Sequence, residues 1–249
     1  MAYKNQAKES NNWAGIVETI KTVGYAVIIA LVVRTVAFEP FSIPSGSMLP
    51  TLLVGDYLFV SKYSYGYSRY SLPFGLPLIP GRIFFSEPER GDVAVFKLPS
   101  DNKTDYIKRI VGLPGDRIQV IGGILHVNGT PVQRQPIENY ERRVQYGNTV
   151  RFAQYIETLP NGRRHRIIEE SDQRRLDNTG EYIVPAGHYF AMGDNRDNSL
   201  DSRVLNGVGF VPARNLVGRA EFLFFSIKPE LPFWDPRAIR FDRLFIGIE

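Results

Sequence analysis

Cysteine is absent from the 249 residues. That single lack excludes thiol catalysis, cysteine-ligated zinc sites and disulfide cross-links together. It suits an oxidising compartment, although cytosolic proteins can lack cysteine too. Histidine is almost as scarce, with only His126, His165 and His188. None stands in a distinctive motif, so each reads as a surface or core residue, and a triad assembled only in space stays open. Charge of one sign is lacking as well: thirty basic against twenty-six acidic residues leave +4, too mild to point to nucleic acid. There is no low-complexity tract and no internal repeat. What remains is an ordinary globular composition, 43% hydrophobic and 22% charged, with enough chain for one large domain or two small ones.

Long apolar runs are confined to one place, AGIVETIKTVGYAVIIALVVRTVAF at residues 14–38. As a helix it would extend about 37 Å, enough to cross a bilayer core of about 30 Å. Its charge-free centre, Thr22 to Val33, covers only about 18 Å. Spanning therefore requires Lys21 and Arg34 to snorkel, with Glu18 pairing Lys21 at i,i+3. A cleaved signal peptide is disfavoured, because no A-x-A site follows and Arg34 interrupts the cleavage region. A buried core helix is the competing reading. The expectation is one transmembrane anchor over 14–38 behind a cytoplasmic tail, 1–13. Lys4, Lys8 and Lys21 before the segment and Glu39 after it place the N-terminus inside.

Past Pro40 the texture turns to β. LVGDYLFVSKY (53–63), RGDVAVFKLP (90–99), TDYIKRIVGLPGD (104–116) and RIQVIGGILHVNG (117–129) alternate apolar and polar residues between turn signals. ILHVNGTPV reads as a hairpin turning at Asn128-Gly129, and the Tyr-, Pro- and Gly-rich 64–82 as an irregular surface loop. From about 131 to 181 the chain is polar and arginine-rich (ERRVQYG, NGRRHRIIEE, DQRRLDN). With acids interleaved, it reads as a solvated subdomain whose arginines pair with Glu169, Glu170 and Asp172 rather than as a nucleic-acid surface. RAEFLFFSIKPELPFW (219–234) is too short and too charged to span a membrane. The expected fold class is mainly β: an antiparallel β-sheet core over 39–122 and 182–249, interrupted by an insertion at 123–181 and preceded by the helix.

Three features carry candidate chemistry. IPSGSMLP (43–50) places Ser45 and Ser47 around a glycine between Pro44 and Pro50. A serine becomes a nucleophile only when a base takes its proton and donors await the oxyanion. Lysine can be that base if its pKa falls from about 10.4 toward neutrality, most readily through burial. In DYIKRIV, strand alternation puts Tyr106, Lys108 and Ile110 on one face. Burial there, with cationic Arg109 next in sequence, would lower the Lys108 pKa; the other reading is an edge-strand lysine that blocks aggregation. Lys62 and Lys97 are expected at turns where their amines reach water. GDNRDNSLDSR (193–203) is a dense set of hydrogen-bonding groups. As a calcium loop it fails, lacking the sixth-position glycine and twelfth-position glutamate; it is either a polar turn or a support that orients the base.

In order along the chain, PSGSMLPTL (44–52), GDYLFVSKYSYG (55–66), RGDVAVFKLP (90–99), YIKRIVGLPGD (106–116) and GDNRDNSLDSR (193–203) resemble the blocks of bacterial type I signal peptidases. Five ordered blocks are far more specific than any one. The resemblance implies that Ser47 is the acyl-forming nucleophile and Lys108 the general base. It implies that Ser45 joins the Ser47 N–H in an oxyanion hole and that Ser199 orients the lysine. Asp201, Arg203 and Arg109 would form the supporting salt bridges. Phe41, Ile43, Tyr106 and Ile107 would help line pockets for small residues at −1 and −3 of exported preproteins. The preprotein would lie as an added β-strand. The implied setting is the bacterial inner membrane, single-pass, with the catalytic domain on the periplasmic or outer face. The implied partners are signal peptides, membrane lipid and a nearby secretion translocon, with neither cofactor nor metal. Many relatives carry two membrane helices where this chain has one candidate. The rivals are a self-cleaving repressor-like Ser-Lys protease and a non-catalytic, membrane-anchored envelope binding protein.

Overall fold

The structure, a computed structural model, describes residues 2–143, 149–232 and 234–249. The tip of the arginine-rich segment (144–148) and Phe233 of the last apolar stretch lie outside the described residues. A single α-helix, α1 (Ala2–Val36), covers the expected anchor as far as Val36, two residues short of its expected end, and runs back through most of the expected tail. Neither glycine nor proline interrupts it before Gly15. Within it Gly15–Val36 is long and apolar enough to cross a membrane. Its side chains, among them Val27, Ile28 and Ile29, are exposed, touching no core. The core-helix reading therefore fails. Lys21 pairs with Glu18 at 3.4 Å, as the spacing requires.

One residue after α1, the chain enters a seven-stranded antiparallel sheet ordered β1-β2-β16-β5-β6-β14-β15. Its members are β1 (Phe38–Ser42), β2 (Asp56–Ser61), β5 (Val93–Lys97), β6 (Asp105–Gly112), β14 (His188–Met192), β15 (Val211–Pro212) and β16 (Leu216–Ser226). The fold is mainly β, as its alternation predicts. Between β2 and β5, residues 64–82 hold a short pairing of β3 (Tyr67–Ser68) with β4 (Arg82–Ile83) and two 3₁₀ turns. Leu58, Val60, Val93, Val95 and Leu223 turn inward to form one core cluster, and Met48 and Leu52 from the segment after β1 join it. Both are fully buried, at about 1.5–3 kcal/mol each. They pin the serine turn to the sheet from below.

The chain between β6 and β14 forms two smaller sheets. One is ordered β13-β7-β8-β9, with β7 (Arg117–Ile121), β8 (Ile124–Val127), β9 (Thr130–Pro131) and β13 (Tyr182–Ile183). Asn128 and Gly129 turn the β8–β9 hairpin at φ 55° and 80°, the left-handed values such a two-residue turn needs. The β7–β8 hairpin, turning at 122–123, straddles the expected boundary between the core, ending at 122, and the insertion, beginning at 123. The second sheet is β10 (Gln133–Arg143), β11 (Thr149–Thr158) and β12 (Arg164–Glu169), in that order. Arg134 pairs with Glu169 and Asp172, and Arg174 with Glu170.

Candidate active site

The two outer segments of the curled sheet face one another across a groove of about 430 Å³. One wall is the end of β1 and the turn beyond it, Phe41 to Ser45 with Ser47. The other is Thr104 to Lys108 at the start of β6, with Asn198 and Leu200 nearby. β5 pairs with β6 from Lys97↔Asp105 to Val93↔Arg109, but β14 reaches β6 only at Arg109 to Gly112. Asp105 to Lys108 therefore lack a strand neighbour on the β14 side. A strand edge of this kind can accept an extended peptide through main-chain bonds. The four residues expected to line the substrate pockets, Phe41, Ile43, Tyr106 and Ile107, all border this groove.

At its floor Lys108 Nζ stands 2.8 Å from Ser47 Oγ and 2.8 Å from the Ile107 carbonyl oxygen, to which it donates. It also lies 5.3 Å from the centre of the Tyr106 ring. Lys108 is 3% exposed. Burial pushes its pKa down to about 8, against the opposing fields of Asp201 and Asp194. Arg109 plays no part in that shift. Consecutive strand residues face opposite ways, and Arg109 forms a buried two-point salt bridge to Asp194, Nε and Nη2 at 2.9 and 2.8 Å. Ser45 Oγ is 3.5 Å from Ser47 Oγ at the exposed mouth.

Lys62 departs from expectation. It is 2% exposed, its Nζ 2.7 Å from Glu39 and donating to the Tyr70 and Ser71 carbonyls. β2 ends at Ser61, but the Lys62 N–H still bonds the Ala37 carbonyl, and the 64–82 segment folds over the amine. Lys97 pairs with Asp105 on the surface, so of these three strand lysines Lys108 alone is buried with its amine on a serine hydroxyl.

GDNRDNSLDSR wraps the back of the site. Arg203 holds Asp201 through Nε and Nη2, both at 2.9 Å, and Asp201 accepts the Gly193 N–H. Ser199 Oγ is buried beside Asp201 and makes no bond to Lys108. Three residues without an expected role fasten the serine turn. Asn195 donates its backbone N–H to the Ser47 carbonyl and its side-chain amide to the Gly46 carbonyl. Asp194 accepts from Thr51 Oγ1 at 2.5 Å. A Cβ on Gly193 would lie 2.3 Å from Ser199 Oγ and 2.5 Å from the Ser47 carbonyl oxygen. Asp194 and Asn195 sit inside the polar block, so their general importance was legible there. Their individual contacts were not.

A serine within bonding distance of a buried amine, beside an open strand edge, can carry out acyl transfer on an extended peptide. With what its relatives are, the protein is a serine endopeptidase. The family model described as "Signal peptidase, peptidase S26" matches residues 16–225. Signal peptidase I of Rickettsia typhi (strain ATCC VR-144 / Wilmington) is 45% identical over 219 residues, covering 85% of this chain and 80% of the relative. That of Rickettsia canadensis (strain McKiel) is 45% identical over 223 residues, 86% and 81% of the two. The chain belongs to the signal peptidase family, peptidase S26. A solved signal peptidase I from Enterococcus faecalis V583, 24% identical, covers 54% of this chain and 97% of its own at a TM-score of 0.32; membership rests on the sequences.

Proposed function

We propose that the enzyme removes signal peptides from exported preproteins, with Ser47 as nucleophile and Lys108 as general base. The observation that carries this reading is the buried Lys108 amine 2.8 Å from Ser47 Oγ. Neutral Lys108 takes the hydroxyl proton as Oγ attacks the scissile carbonyl. The Ser45 hydroxyl and the Ser47 N–H receive the developing oxyanion, and Lys108 returns the proton to the leaving amine. Water, deprotonated by the same amine, then releases the signal peptide from the serine. Every proton transfer has a donor and an acceptor without a metal or cofactor.

The signal peptide lies as a strand between the edges at 41–45 and 104–108, with Phe41, Ile43, Tyr106 and Ile107 shaping pockets for small residues at −1 and −3. Asp201, held by Arg203, and Asp194, held by Arg109, set the field around the amine, and Ser199 steadies it when the site is occupied. The Gly15–Val36 helix anchors the protein in the bacterial inner membrane with its N-terminus cytoplasmic. The catalytic core then stands at the outer face, where preproteins emerge from the translocon. Exposed Leu78 and Trp234, in the apolar 64–82 and 219–234 stretches, help hold it against lipid, with exposed Phe84 just beyond the first.

The test is cleavage of a purified preprotein. Ser47→Ala and Lys108→Ala are each expected to lower kcat/KM by about 10³-fold or more, and the wild-type rate is expected to rise through an apparent pKa near 8. Intact processing by either variant, or a rate that rises only toward the 10.5 of a free lysine, would refute the dyad. Cleavage of the chain itself in place of preprotein would favour the repressor-like protease; no cleavage of either would favour a binding protein.

A further inference from the structure

The three-stranded β10–β12 sheet was expected to be a solvated accessory unit, yet its inner face carries a buried ionic cluster directed at the serine turn. Glu157, on β11, is 1% exposed. It accepts both Arg196 Nη atoms, at 2.8 and 2.5 Å. Arg196 belongs to the segment whose next residues inward, Asn195 and Asp194, hold Ser47, Gly46 and Thr51. The Arg196 carbonyl in turn accepts from Arg203 Nη2, and Arg203 holds Asp201. A continuous bonded path therefore runs from β11 to both the nucleophile turn and the carboxylate facing Lys108.

β12 adds a second connection. Ile168 pairs with Asn195 as an isolated parallel bridge, its N–H donating to the Asp194 carbonyl. Ile168 and Phe152 also pack on Leu49, two residues past the nucleophile. His165 of β12 fills the space between the acids, its Nε2 3.2 Å from Glu157 and 4.0 Å from Asp194.

We propose that Glu157 is a positioning residue for the peptidase reaction, fixing through Arg196 the 194–196 segment that holds Ser47 against Lys108. This rests on the Ser47–Lys108 reading above. The role is mechanical, because Glu157 does not border the groove and reaches no substrate atom. The charged and titratable groups packed around the pair are His165 and Glu169 from β12, Asp194 from the polar block, and Arg109 from β6. Burial and Arg109 hold the His165 pKa down despite Glu157 and Asp194, so near neutrality it separates two carboxylates as an uncharged spacer. Burial alone would raise the Glu157 pKa, but Arg196 and His165 hold it well below the carboxylate range. The pair therefore stays ionised wherever the enzyme works.

Two variants in the full-length enzyme test this, with activity expressed per active site by counting acylated Ser47. Glu157→Gln keeps the shape but withdraws the charge that holds both Arg196 Nη atoms. Its kcat is expected to fall roughly tenfold with KM within twofold. Glu157→Leu with Arg196→Met removes the connection while keeping the interior filled, so its Tm should hold while kcat falls as far. Unchanged kcat per site in both variants overturns the proposal. So does a loss that follows Tm alone, or one that raises KM as much as it lowers kcat. Ser47→Ala run alongside separates the failures: if it retains activity, the dyad reading is wrong, whereas a dead Ser47→Ala beside unaffected Glu157 variants removes only this inference.

Discussion

At the scale of single residues, Lys108 shows a side chain placed for reactivity at the expense of stability. Unfolded, its amine titrates near 10.5; folded, near 8. Between those values the unfolded chain binds a proton that the folded chain lacks, so stability rises with pH across that window. Below pH 8 the full penalty stands, about 3 kcal/mol. Lys108→Met is therefore expected to be inactive and to melt higher than the wild type at pH 7, with the gap closing as pH nears 10. Thermal unfolding at pH 7 and pH 10 checks this, and a Met variant melting no higher at pH 7 would contradict it. The period-two alternation of DYIKRIV made Lys108 legible because burial on a strand follows the pleat. Lys62 escaped the same logic because what buries it is the 64–82 segment and Glu39, which local spacing does not encode.

At the scale of elements, the site depends on strands that stop at different places. β14 ends its pairing with β6 at Arg109, leaving room for a substrate strand, and the chain then turns inward at Gly193 beneath the nucleophile. Gly193→Ala would drive a methyl group into Ser199 Oγ and the Ser47 carbonyl. Overpacking of this kind costs about 1–3 kcal/mol. Here it should also lower kcat at least tenfold by shifting Ser47, as denaturant unfolding and single-turnover kinetics will show. Wild-type kinetics in the variant would mean that the turn has slack. The antiparallel core, the Asn128-Gly129 hairpin and the helix were readable from period and turn chemistry. The seam between β12 and the polar block was not, because a lone parallel bridge between distant segments leaves no periodic trace. For the same reason Glu157 drew no reading from the sequence, and His165 read as an ordinary surface or core histidine.

At the scale of the whole molecule, helix and catalytic domain are separable in chemistry but joined in geometry. Removal of residues 1–36 is expected to leave kcat/KM for a short soluble peptide within about threefold, and to sharply reduce sedimentation with lipid vesicles. A truncated enzyme that still sediments fully would move the anchoring role to the β domain. The join itself is short. Only Ala37 separates α1 from β1. Glu39 bridges Arg34 at the helix end to buried Lys62, and the Tyr67 hydroxyl donates to the Val36 carbonyl. With its helix seated in lipid, the domain has no slack with which to rise, sink or swivel. Under the proposed anchoring, Ser47 would stand at a constant height above the bilayer, as the fixed end of a ruler. The expected consequence is cleavage only where the length of chain between a preprotein's apolar run and its cleavage point matches that height.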